Sequence, residues 1–339
     1  MLKTIFSKPF AVACALTLAC SVLGSLLAGL PYLAVLGALV ISLILGVVCQ
    51  AAKPAVSYAK PGIALISNKF LRAGIILLGF KLNLVALAQA GVKTIALACV
   101  VVTGTIFLAY NLARRFGVDR HLAILTASGT GICGAAAVMG IASQLPTSEK
   151  DAEHHSEDKV VAVAIVAILG TLFTLVDIAV GPLLGMSATQ FGVMAGGSLH
   201  EIAHAVAAGG AGGSESLDIA IITKLSRVLL LAPAAIIIGV WYRKAEGVEA
   251  DSKGKVPIPW FMVGFVATSV VGTFAPLTQE MLDGLVKVSY LLLGMAMAAL
   301  GMTVNFRVLL TRGRNAFVAA LITSVVLLVF VAAMALLFF

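Results

Sequence analysis

Eleven largely apolar stretches of about twenty residues, parted by short breaks that hold most of the charge, leave this chain little freedom in how it folds. A helix of roughly 20 apolar residues crosses the hydrocarbon core of a bilayer and satisfies its own backbone there. The stretches run approximately over 9–30, 31–50, 62–80, 94–112, 122–145, 160–185, 191–211, 217–242, 258–277, 286–304 and 315–339. They predict an all-α polytopic membrane protein of about 11 transmembrane helices, one integral membrane domain over 1–339. Since 61% of residues are hydrophobic and 11% charged, no room remains for a sizeable soluble domain, whose charged share is about 25%.

The formal charge of +8 does not point to nucleic acid, because no basic run interleaved with aromatics occurs. Its placement is a topology signal. With the N-terminus in the cytoplasm, 16 of the 23 Lys and Arg fall on the inner side, and five (Lys81, Lys93, Lys150, Lys159 and Lys287) fall outside. Eleven crossings leave the C-terminus outside. Lys3 and Lys8 before an apolar run mimic a secretory signal, but a second apolar stretch follows Pro31 at once and favours an uncleaved first span. Cys14, Cys20, Cys49, Cys99 and Cys133 lack the paired spacing of a disulfide framework or zinc ribbon and read as small buried residues.

Asp177, Glu201, Lys224 and Arg227 lie well inside predicted spans, where charge is costly and usually functional. Glu201 and Arg227 each come out about 15 Å deep at 1.5 Å per residue, near the bilayer midplane. Two spans are poor helices: 122–145 holds Ser128-Gly-Thr-Gly-Ile-Cys-Gly134, and 191–211 holds Gly196-Gly-Ser198. Two helices interrupted at one depth mark a cavity, and half-helix N-termini there suit an anion. Ser128, Thr130, Gly131, Cys133, Gly134, Gly197 and Ser198 allow close backbone approach; close packing of small residues is the competing explanation.

An internal echo supports a transporter. Gly79-Phe-Lys-Leu-Asn-Leu84 recurs as Gly301-Met-Thr-Val-Asn-Phe306 at an offset of 222 residues. The same offset relates blocks 9–112 and 217–339, seven spans apart, so the copies face opposite ways, as in inverted-repeat secondary transporters. The interrupted segments lie between the blocks and do not align.

The roles of single residues stay open at this level. Ser198-Leu-His-Glu201 fits a capping box. Lys224 and Arg227, three apart on one helix face, serve either as counter-charge for an anion or as partners of Glu201 and Asp177. Asp177 and Glu201 are the candidates for a coupling proton or sodium. His200-Glu-Ile-Ala-His204 has the H-E-x-x-H form of zinc metalloproteases, with both imidazoles on one helix face and Asp283 as third ligand, so an intramembrane protease is a rival reading. It fits poorly, since Asp283 falls in an outer loop. His121, His154 and His155 read as surface residues, and no cofactor or metal is expected.

Leu71-Arg-Ala-Gly-Ile-Ile-Leu-Leu-Gly79, Gly129-Thr-Gly-Ile-Cys-Gly134, Gly197-Ser-Leu-His-Glu201, Lys224-Leu-Ser-Arg227, Leu231-Ala-Pro233 and Met295-Ala-Met-Ala-Ala-Leu-Gly301 together resemble the YeiH-type family of inner-membrane proteins named for sulfate export. That family is grouped by sequence with cation/proton antiporters and anion transporters. The resemblance implies an inverted-repeat transporter of the inner membrane with crossed, interrupted helices and a moving core. The function expected is secondary transport of a small anion, with His200 beside Glu201 as part of the proton-coupled group and cation/proton antiport as the alternative. A homodimer is compatible with this.

Overall fold

The computed structural model describes residues 7–30, 33, 37–89, 91–146, 152–246, 260–303 and 313–339, and among these every regular element is a helix. In chain order they are α1 (Lys8–Leu27), α2 (Gly37–Cys49), α3 (Lys53–Leu78), α4 (Leu84–Gln89), α5 (Gly91–Arg115), α6 (Arg120–Gly131), α7 (Ala135–Ala142) and α8 (Ala152–Leu183). There follow α9 (Ala188–Ser198), α10 (Ile202–Ala211), α11 (Ser214–Leu229), α12 (Leu231–Ala245), α13 (Trp260–Phe274), α14 (Gln279–Gly301) and α15 (Gly313–Phe338). Seven are long and apolar enough to cross a membrane: α1, α3, α5, α8, α11 taken together with α12, α14 and α15.

Several boundaries differ from those read in the sequence. The third helix begins at Lys53, nine residues ahead of the expected 62, so Lys60 lies on it and not before it. Pro54 in its first turn sets the start. The start of the second stretch, at 31–36, largely lies outside the described residues, as do Glu149, Lys150 and the end of the second repeat copy, Val304 to Phe306.

The chain divides into two compact units, Met1–Val85 with Gly264–Val304, and Ala86–Val263 with Asn305–Phe339. In the first, α1, α3 and α14 close a core of Ala13, Cys20, Ala59, Ile63, Ile66, Met295, Ala298 and Ala299. Small residues let the helices touch: Ser289 Oγ donates to the Gly74 carbonyl at 2.7 Å. A Cβ on Gly79 would collide with the Phe265 carbonyl, and one on Gly301 with the Leu43 carbonyl. Positions 265 and 43 are again 222 apart. Likewise a Cβ on Gly46 would strike the Ala298 carbonyl, while Thr268 Oγ1 donates to the Ile76 carbonyl at 2.6 Å, and each of these residues is 222 from its counterpart.

The second unit is built along α8. Its first half runs beside α6 in parallel: His121 Nδ1 lies 2.9 Å from Asp158 Oδ2, and a Cβ on Gly129 would lie 2.8 Å from Val166 Cγ1. The same Gly129 faces Val138 Cγ2 at 2.8 Å, a contact that nine residues of straight helix, about 13 Å of rise, would forbid. Hence α7 folds back against α6. Gln144, just past α7, packs on Gly239, and Arg120, at the start of α6, reaches Glu246 at 2.8 Å, so both ends of this hairpin lie toward the C-terminal end of α12.

The second half of α8 carries another hairpin, inserted from the opposite end. Phe191, early in α9, packs on both Gly181 of α8 and Gly212 beyond α10, while Ser198 at the end of α9 reaches Asp177. The legs of the two hairpins measure about 18, 12, 16 and 15 Å, each too short for a ~30 Å core. The stretches 122–145 and 191–211 are therefore interrupted, as expected, but each turns back where a single crossing was expected.

Candidate functional site

The two hairpin tips, Ile132–Gly134 and Leu199–Glu201, meet at α11. A helix leaves its last carbonyls without intrahelical partners, and in an apolar interior each such group costs several kcal/mol. Arg227 meets this cost at both tips. Its Nη1 donates to the carbonyls of Gly197 (2.7 Å) and Leu199 (3.0 Å), its Nη2 to those of Thr130 (3.1 Å) and Gly131 (2.7 Å), and its Nε to Gly131 at 3.2 Å. Lys224, one turn earlier, donates to Ile132 O at 3.1 Å and to Leu199 O. Both cations are wholly buried, and each sits at the negative ends of α6 and α9. Neither forms an ion pair with Glu201 or Asp177, unlike Arg120, which meets Glu246 at 2.8 Å. The cations face backbone, where an open counter-charge or a carboxylate pair was expected.

Glu201 does not form the expected capping box with Ser198. Ser198 is the last residue of α9, its Oγ lying 2.7 Å from Asp177 Oδ2 and 2.7 Å from Met194 O with one proton to share between them. A capping box does form at the other end of α9, from Ser187 and Gln190. Glu201 occupies the N-cap position of α10 without a side-chain cap bond, and its carboxylate crosses to the other hairpin, where Oε1 accepts from Ala135 N–H at 3.4 Å at the start of α7. Gly134 makes room for it: its φ of +70° belongs to glycine, and a Cβ there would lie 2.5 Å from Glu201 Cγ. Glu201 Oε2 and Asp177 Oδ1 are buried without a hydrogen-bond partner, as are His200 Nδ1 and His204 Nδ1.

The remaining candidates divide. Thr130, Gly131 and Gly197 contribute carbonyls, while the hydroxyls of Ser128 and Thr130 bond back to Ile124 O and Thr126 O within α6. Cys133 lies buried at the first tip. His200 falls in the break before α10, with Nε2 3.0 Å from Ser324 Oγ, whereas His204 is in the first turn of α10, 3.5 Å from Thr171 Oγ1. Only His204 thus lies on α10, where the H-E-x-x-H form places both imidazoles on one helix, and both histidines pack against Gly170 of α8. Asp283 is exposed on α14 in the other unit, bonded to Gln279. Sequence reasoning missed Ser324, whose signal was a Thr-Ser pair amid an apolar run, and Ala135 and Ile132, which act through backbone and leave no signal.

The profile of the family described as conserved hypothetical protein 698 matches residues 13–320. A UPF0324 membrane protein of Lactobacillus johnsonii is 53% identical over the whole of both chains. Another from Bifidobacterium longum is 49% identical over 96% of this chain and 94% of its own, and one from Bacillus cereus 45% identical over 94% and 92%. An all-helical membrane protein with two hairpins joined through one buried arginine, the chain belongs to the conserved hypothetical protein 698 family of UPF0324 membrane proteins.

Proposed function

We propose that this protein is a secondary transporter that moves a small anion by alternating access, with Glu201 as the group that trades places with the substrate. One observation carries the reading: the Glu201 carboxylate lies at the N-terminus of α7, while the first turn of α10 has no side-chain cap. Helix N-termini are ready anion sites, and here a resident carboxylate stands where a substrate anion would. Lys224 and Arg227 keep the surroundings positive while holding both tips. Protonation of Glu201 removes the resident negative charge and leaves the Ala135 N–H to an incoming anion, and loss of the proton restores the competitor. Anion and proton then move in linked steps.

The 222-residue relation between contacts in the first unit and the opposed hairpins of the second support an inverted-repeat architecture, with nine crossings and two re-entrant hairpins meeting near the midplane. Sulfate, from the family that the sequence resembles, and small carboxylates are the first substrates to try. A second reading, cation exchange for protons, draws on the partnerless oxygens of Asp177 and Glu201.

Reconstitution into liposomes with a panel of anions and an imposed pH gradient tests both. Saturable anion uptake that follows the proton gradient is expected, with Glu201→Gln retaining flux but losing its pH dependence. Sodium–proton exchange abolished by Asp177→Asn, without anion flux, would move the assignment to the second reading.

A further inference from the structure

We propose that Asp119, His154 and Asp158 form a divalent-metal site, taking zinc first, that clips the base of the first hairpin to α8. One ligand atom from each of the three lies within 4.8 Å of the other two. They come from two elements: Asp119 is the N-cap of α6, where Oδ1 accepts from Leu122 N–H at 2.9 Å, and His154 and Asp158 are one turn apart on α8. A tetrahedral zinc with bonds of about 2.1 Å holds its ligand atoms roughly 3.4 Å apart. Side-chain rotations of about an ångström complete that arrangement, with a fourth position for water at exposed His154.

Two further features mark the cluster as built. Asp158 is wholly buried, and its Oδ2 is held by His121 Nδ1 at 2.9 Å, the outer-shell support that metal-bound carboxylates need. The His121 ring is itself fixed, stacked on His155 with centroids 3.8 Å apart and planes 9° from parallel. A buried carboxylate beside a second one is a costly pairing that a dication relieves. Two oxygens and one imidazole nitrogen suit zinc or another first-row divalent ion. His121, His154 and His155, which read in the sequence as separate surface residues, thus converge on one place.

The test uses the full-length chain in detergent micelles, stripped with chelator and titrated with zinc chloride. About one zinc per chain is expected, with a rise in thermal midpoint; magnesium and calcium chloride at the same concentration should leave it unchanged. His154→Ala, at an exposed position, should weaken binding by more than tenfold, and His121→Asn by about tenfold. Asp119→Asn should act like His154→Ala. Absence of zinc binding below millimolar concentration overturns the proposal, as does binding that survives His154→Ala and Asp119→Asn but is lost in His204→Ala.

Discussion

At the residue scale the molecule turns on Arg227, whose planar fork reaches two helix ends at once. Lysine would keep the charge but not the fork, leaving carbonyls of one tip without donors, at about 1–3 kcal/mol for each buried acceptor orphaned. Arg227→Lys is therefore expected to lower the melting temperature in detergent by several degrees or more, while Arg243→Lys at the end of α12 should leave it within error. Gly134→Ala places a Cβ against Glu201 Cγ in a backbone conformation that costs about 1–3 kcal/mol, so reduced stability should accompany a changed pH dependence of transport. That Arg227, Lys224 and Glu201 would be buried was legible, since they are charges inside apolar runs. Their partners were not, because backbone carbonyls and an Ala135 N–H have no letter in the sequence. Charge reversal at Arg227 would thus break the fold before reporting on substrate sign.

At the element scale, Gly129 to Gly134 and Gly196-Gly197 announced the interruptions, and the structure has both. The fold-back was hidden by a coincidence of length. A leg of 12 residues and one of 8, or of 11 and 10, add to one apolar stretch as long as a single crossing, and hydropathy reads the total. Only contacts between distant letters, such as His121 with Asp158, reveal that the chain returns. Single cysteines in a background lacking the native five would decide the matter with a membrane-impermeant maleimide. Hairpins require that Arg115→Cys and Ser156→Cys label from one side of the membrane, and Leu184→Cys and Ser214→Cys from the other. Eleven simple crossings require Arg115 to label with Leu184 and Ser156 with Ser214.

At the scale of the whole molecule, the proposed nine crossings differ from the expected eleven by two that cancel. Removing the fifth and the seventh flips only the sixth span, so charge bookkeeping downstream is unchanged, and both counts leave the termini on opposite sides. With nine crossings the basic split expected from the sequence would sharpen, from 16 against 5 to 18 against 3, Lys150 and Lys159 being counted on the inner side. Alternation alone therefore could not tell nine crossings from eleven, whereas the 222-residue offset recurs among contacts of the first unit. In the first unit Gly79 meets the Phe265 carbonyl as Gly301 meets that of Leu43. If the two halves are copies of one packing unit, a methyl group added at either glycine meets the same obstacle, a backbone oxygen that cannot swing aside. Gly79→Ala and Gly301→Ala should then cost similar amounts, about 1–3 kcal/mol each from overpacking, and lower the melting temperature in detergent alike. Gly284→Ala, with open space around its added methyl, is the control and should change nothing. A large loss at one of the paired glycines beside none at the other would reduce the six-letter echo to chance.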